Sequence, residues 1–303
     1  MTSTALTGVA AGVPFIAVPP PGGGGSAAPV VVAWHLLDPP RTEAAFAAAL
    51  PLEGLDAWRI YLGLPLSGSR APAGGDEELM RLGYEDAVMN LHGPIVEQAA
   101  EEFGPAFADL RDRLALGDGP IGVLGGSNGA AVAQLVMAQG AVDVSTAVLV
   151  SPVVQLRPVV EATGRRYGVT YPWSDTSLQV ARRLDFVARA ADIAEPGQPA
   201  VLLVVGGKDD AQGYREPADL LRQALASLYG DPTRAELVVI DGMGHELAAA
   251  PGDEPAPQTP HAAEVDRHAV QWFQRHLAGC VPDDAPPGRG AADVSPSTRL
   301  VQG

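Results

Sequence analysis

The sequence predicts an α/β fold: a doubly wound, mostly parallel sheet with helices on both faces and a small helical cap inserted late in the chain. Three observations lead there. Apolar, β-branched runs recur through the 303 residues, at 29–37, 57–65, 120–125, 146–152, 200–207 and 236–242. Segments with helical character separate most of them, and alternating strand and helix is the pattern that brings strands parallel in one sheet. The alternation is interrupted from about 153 to 198, where GVTYPWSDT and an arginine-bearing helix stand between two strands. An insertion there lies over the carboxyl ends of the strands, the edge at which open α/β sheets bind ligands.

The elements follow in order. The opening MTSTALTGVAAGVPFIAVPP is apolar, has no Lys or Arg before the run, and is broken by Gly and Pro. It lacks the charged start of a signal peptide and the length of a membrane span, so a soluble, cytoplasmic protein is expected. Residues 20–28, PPGGGGSAA, make a loop. PVVVAWHLL, 29–37, is apolar throughout, as in parallel strands covered on both faces. Thr42 caps a helix over EAAFAAAL, and AWRIYLGLP, 57–65, is the next strand. Residues 66–92, starting with SGSRAPAGG, read as irregular. A long helix covers 94–116, with a break expected near Gly104-Pro105. Strand 120–125 runs into helix 128–139, then comes strand 146–152. After the insertion come strand 200–207, a helix over 216–229, strand 236–242 and a last helix over 260–278. One domain therefore spans 1–280, and 281–303 has the composition of a flexible tail.

Composition removes several function classes. A net charge of −16 leaves no basic stripe to follow a phosphate backbone, so no nucleic-acid partner is expected. A single cysteine, Cys280, can form neither an internal disulfide nor a zinc site. His261, His268 and His276 share one face of the last helix at spacings that do not suit a metal.

Chemistry concentrates in 120-PIGVLGGSNGAAVAQLVMAQG-140. Glycines at a strand-to-helix turn can cradle a phosphate or free a nucleophile. The spacing G-x-G-x-x-G is absent, and no Gly-Lys-Ser/Thr follows, since the one lysine is Lys208. GGSNG, 125–129, does fit G-x-S-x-G, in which Ser127 sits on a strained turn and the helix start offers the backbone N–H of Asn128 to an oxyanion. A serine nucleophile needs a base, and the base an orienting acid. Asp209 and Asp210 follow strand 200–207 in GGKDD, and His245 follows strand 236–242 in DGMGHEL.

On GGSNGA, GGKDD and GMGHEL, the chain resembles the α/β-hydrolase superfamily, over about 28–279. The resemblance implies a Ser127–His245–Asp209 triad. Asp209 fits the G-x-x-D pattern better than Asp210 does, and Asp241 is expected to shape its turn. Members often carry His-Gly after the third strand, where a backbone N–H completes the oxyanion hole. Here 34-WHLLD-38 has His35 in place but Leu36 where glycine is expected. Leu37 is the expected second donor, with Leu36 the fallback, and donor geometry is in question. The same loop brings Trp34 and Asp38 to the site; His35 is expected to hold it, and Trp34 and His35 are also candidate pocket residues. Tyr171 and Trp173 in the cap and Met243 beside the histidine are candidate pocket residues, each with plain packing as the alternative. His92 is expected to cap a helix or face solvent. The implied activity is hydrolysis of a small or medium carboxylic ester, with water as second substrate and no cofactor or metal. Thioester hydrolysis, lactone opening, peptide cleavage and cyanohydrin lysis use the same triad, and a non-catalytic ligand-binding relative is the alternative from another class. Oligomeric state is not legible.

Overall fold

A computed structural model describes residues 4–25, 27–195 and 197–277. Cys280 and the expected tail at 281–303 lie outside the described residues. Among the described residues, eight strands form one sheet: β1 (Leu6–Ala10), β2 (Val13–Val18), β3 (Val30–Trp34), β4 (Trp58–Leu62), β5 (Ile121–Gly126), β6 (Val144–Val150), β7 (Ala200–Gly206) and β8 (Ala235–Ile240). Their spatial order is β1-β2-β4-β3-β5-β6-β7-β8. From β4 across to β8 neighbours are parallel, while β1 and β2 extend one edge antiparallel. The doubly wound, mostly parallel sheet is what the alternating sequence implies.

β3 and β7 are buried at every position because helices cover both faces. Successive side chains point to opposite sides. Val30, Val32 and Trp34 enter one core, and Val31 and Ala33 the other. The helices are α1 (Glu43–Ala49), α2 (Gly75–Asp86), α3 (Gly93–Leu114), α4 (Asn128–Gln139), α5 (Leu156–Tyr167), α6 (Asp175–Arg183), α7 (Ala190–Ala194), α8 (Glu216–Leu228) and α9 (Pro260–His276). α1 and α9 close the second core, and α3, α4, α7 and α8 the first. Thr42 does cap α1, its side chain accepting from the Ala45 N–H at 3.1 Å. Among the described residues, no helix is long and apolar enough to cross a membrane.

Four features differ from expectation. The opening run forms the β1–β2 hairpin, turning at Ala11 and Gly12, which both have positive φ. Ala-Gly lacks the asparagine or aspartate that usually announces such a turn. The stretch 66–92 is largely ordered as α2 and a π-helical turn at Ala87–His92. α2 fully buries no residue and offers only a short apolar face through half-buried Leu79 and Leu82; acids in its first turn and the Arg81–Glu78 and Arg81–Glu85 pairs also support it. α3 passes Gly104-Pro105 without a break. Both residues face solvent, where water can satisfy the Glu101 carbonyl that proline cannot. Finally, α7 packs on α4 and α8 as part of the layer over the sheet, so the cap is narrower than 153–198.

The chain leaves β3 for β4 on one side and reaches β5 on the other. The carboxyl ends of β3 and β5 thus flank a topological switch point, where such sheets bind ligands.

Candidate active site

Ser127 stands between the last residue of β5 and the first of α4, at φ 50° and ψ −115°. A residue with a Cβ adopts that backbone only when its surroundings enforce it. Here its N–H donates to the Val150 carbonyl at 2.9 Å, and its carbonyl accepts from Ala130 and Val153. Missing side chains let the neighbouring strand close in. A methyl group on Gly129 would overlap the Trp34 and His35 carbonyls, and one on Gly126 would overlap the Leu36 side chain.

Two loops from distant sequence meet this serine. His245 Nε2 lies 2.9 Å from Ser127 Oγ, and His245 Nδ1 lies 2.8 Å from Asp209 Oδ2. A carboxylate at Nδ1 keeps the neutral ring's proton there and leaves Nε2 to accept from the serine hydroxyl. Burial lowers the His245 pKa, but the hydrogen bond and charge of Asp209, with Asp38 and Glu246, outweigh it and hold the pKa above the usual histidine value. Asp210 turns elsewhere, accepting from the Gly213 N–H at 2.7 Å and pairing with Arg165 at 3.3 Å. Asp241 is exposed on its turn. The Tyr214 ring packs on the imidazole, centroids 4.3 Å apart. Asp38 Oδ2 lies 3.6 Å from Nε2.

The loop after β3 removes the doubt about glycine at 36. Neither Leu36 nor Leu37 has positive φ, so no glycine is required. Leu36 is fully buried in the space left by Gly126, against Phe46. His35 is also fully buried. Its Nε2 accepts from the Leu64 N–H at 3.0 Å, and its Nδ1 donates to the Leu36 carbonyl at 2.6 Å. Downstream, the Pro39 carbonyl accepts from the Leu247 and Ala248 N–H groups, so this loop and the histidine loop are tied together.

His35 carries a pH prediction. Burial pushes its pKa down to about 4, with a smaller opposing effect from the Leu36 carbonyl. As pH falls below about 6.5 the unfolded chain takes this proton and the folded protein does not, so stability is full above that pH and declines toward pH 4. The loss assigned to His35 is about 3 kcal/mol. Urea unfolding at both ends of that interval should show it, and His35→Gln should flatten that part of the dependence.

A cavity of about 690 Å³ opens over Ser127. Leu37, Asp38, Leu91, His92, Asn128 and Tyr214 border it, with Lys208 and Glu246 at its wall and the end of α5, Arg165 to Tyr167, on the cap side. The expected pocket residues fare differently. Trp34 is buried edge-on against Phe103, His35 is sealed beneath the loop, and Met243 is buried in the second core. Tyr171 and Trp173 do not border the cavity either; they pack on each other, and the Tyr171 hydroxyl donates to Asp86 at 2.5 Å, joining the cap to the end of α2. His92, expected as a cap or surface residue, instead meets the Asn128 side chain through Nδ1 at 3.0–3.1 Å. Burial lowers the His92 pKa, partly offset by Asn128. Among the described residues no group of three or more His, Cys, Asp or Glu could hold a metal ion.

No family model matches the chain, and no curated protein does. Solved structures do match. TT1662 from Thermus thermophilus superposes with a TM-score of 0.58 at 17% identity, over 91% of this chain and 98% of that one. A dienelactone hydrolase from Anabaena variabilis gives 0.52 at 15% identity, over 91% and 100%. A puromycin-hydrolysing peptidase from Mycobacterium tuberculosis gives 0.59 at 17% identity, over 91% of this chain but 39% of the longer peptidase. At such identities the likeness is one of fold, and with the switch-point serine and sheet order it leads to one conclusion: this chain has the α/β-hydrolase fold.

Proposed function

We propose that this chain is a serine hydrolase that cleaves carboxylic esters of small or medium substrates through an acyl-enzyme. The observation that carries it is the unbroken hydrogen-bonded series from Ser127 Oγ through His245 to the buried Asp209, opening on a cavity. Ser127 Oγ attacks the ester carbonyl while His245 Nε2 takes its proton. Asp209 fixes the ring by its Nδ1–H and stabilises the imidazolium that forms. The tetrahedral intermediate collapses, and His245 returns the proton to the departing alcohol. Water then repeats the sequence on the acyl-enzyme and releases the acid.

The developing oxyanion needs two donors. Asn128 is the first residue of α4, where the helix supplies no acceptor for its N–H. The second we assign to Leu37. In a trans peptide the carbonyl and the following N–H point in opposite directions. His35 holds the Leu36 carbonyl, so the Leu37 N–H faces away from His35, and it has no backbone acceptor among the described residues. Removing one such donor typically costs about 2.7–4 kcal/mol in the barrier.

A fluorophosphonate probe should label the folded protein at Ser127 and fail to label Ser127→Ala. A folded sample that takes no label sinks the proposal. A p-nitrophenyl ester chain-length series, run beside thioester and lactone substrates, tests the bond cleaved. Faster thioester turnover would replace the substrate class and keep the chemistry.

A further inference from the structure

We propose that Asp38 makes this site selective for esters with a cationic group, such as a protonated amine, close to the scissile carbonyl. The inference rests on the serine-hydrolase reading above and adds the charge of the substrate to it.

Asp38 directly follows the assigned donor Leu37. Its Oδ2 lies 3.6 Å from His245 Nε2, the same nitrogen that meets Ser127 Oγ at 2.9 Å. The carboxylate therefore sits within the combined span of two short contacts from the attacking oxygen. Among the described residues, Asp38 and Asp209 are the carboxylates within ion-pair distance of that imidazole. They differ in a way that matters. Asp209 is sealed, with 4% of its side chain exposed, whereas Asp38 borders the cavity and has 53% of its side chain exposed.

Among the described residues no arginine or lysine is ion-paired with Asp38, although Arg41 lies near enough for the two charges to act on each other. Arg41, three residues on, gives both terminal nitrogens to Asp76, at 2.9 and 2.7 Å. Burial keeps His92 and Tyr214, which also face Asp38, toward their neutral forms. Farther round the wall, Arg165 is engaged by Asp210, and Arg166, Lys208 and Glu246 are exposed. The bonds from Leu247 and Ala248 to the Pro39 carbonyl restrain the loop next to Asp38. An arriving ammonium group would find a counter-ion beside the nucleophile. An arriving carboxylate would be repelled at a distance shorter than the screening length of salt.

Three ethyl esters of similar size test this at pH 7 and low salt: β-alanine ethyl ester as cation, ethyl butanoate as its neutral isostere, and monoethyl malonate as anion. The wild-type kcat/KM should favour the cation over the neutral ester by about tenfold and disfavour the anion. Asp38→Asn keeps the shape and removes the charge, so it should reduce both ratios to within about twofold. It should also move the acid limb of the ethyl butanoate pH profile to lower pH, because Asp38 helps hold the His245 pKa up. A purely structural role for Asp38 would change neither the charge ratio nor that limb. Preference for the malonate would assign the pocket to anions, with Lys208 and Arg166 as the readers, and overturn the proposal. So would equal rates on the three esters, or a cation preference that survives Asp38→Asn. Hydrolysis of ethyl butanoate without charge preference overturns the role of Asp38 alone. No hydrolysis and no fluorophosphonate label overturns the hydrolase reading and this inference with it.

Discussion

Ser127→Ala and His245→Ala should each lower kcat on a short ester by roughly a million-fold, and the double variant should fall no further than either one. The expectation comes from the single contact between Ser127 Oγ and His245 Nε2. Without the imidazole the hydroxyl has no acceptor for its proton, and without the hydroxyl the imidazole has no proton to take. Once one is gone, deleting the other removes nothing more. Asp209→Asn should cost less, roughly ten-thousand-fold, because the base survives but its tautomer is no longer fixed. Activity of the intact protein should fall as pH drops through the raised pKa of His245, since the protonated ring cannot accept from serine. Single-turnover kinetics on folded, circular-dichroism-matched variants would measure these losses. If the losses in the double variant multiply, the residues do not act as one unit and the proposed chemistry is wrong.

The parts of this site that were legible in the sequence share a property. Ser127, Asp209 and His245 each follow an apolar, β-branched run that reads as a strand, and each lies near glycines. Strand ends in a parallel sheet converge on one edge, so position along the chain is enough to bring them near each other. Side-chain direction is harder to read. Trp34 is the last residue of β3, and its alternation with Val30 and Val32 sends it into the core beside α3. Met243 and His245 are two residues apart, yet one fills the second core and the other reaches the serine. His92 arrives through a π-helical turn that no local pattern announced, between α2, which buries no residue fully, and a long α3. Leu36 looked like a departure from a glycine pattern. It fills the space beside Gly126, a residue ninety positions away in sequence that becomes its neighbour only once β3 and β5 pair.

Gly129→Ala should be a strongly damaging conservative change near the site, lowering stability by about 3 kcal/mol, the upper end of what overpacking costs. The atoms a new methyl group would meet are the Trp34 and His35 carbonyls. These are backbone, and they cannot rotate aside as a side chain can. Gly129 lies in α4, so alanine brings a helix-propensity gain of about 1 kcal/mol that partly offsets the clash. Gly104→Ala isolates that gain. Gly104 lies in α3, faces solvent, and has nothing near the position a methyl group would occupy. The same substitution there should stabilise by up to about 1 kcal/mol. Denaturant unfolding of both variants measures the difference. The clash also pushes on the strand end that leads through His35 to Leu37. The folded fraction of Gly129→Ala should therefore show a lower kcat than its stability alone explains, while Gly104→Ala keeps wild-type turnover. Equal stability of the two variants would mean that β3 does not approach α4 as closely as the fold requires.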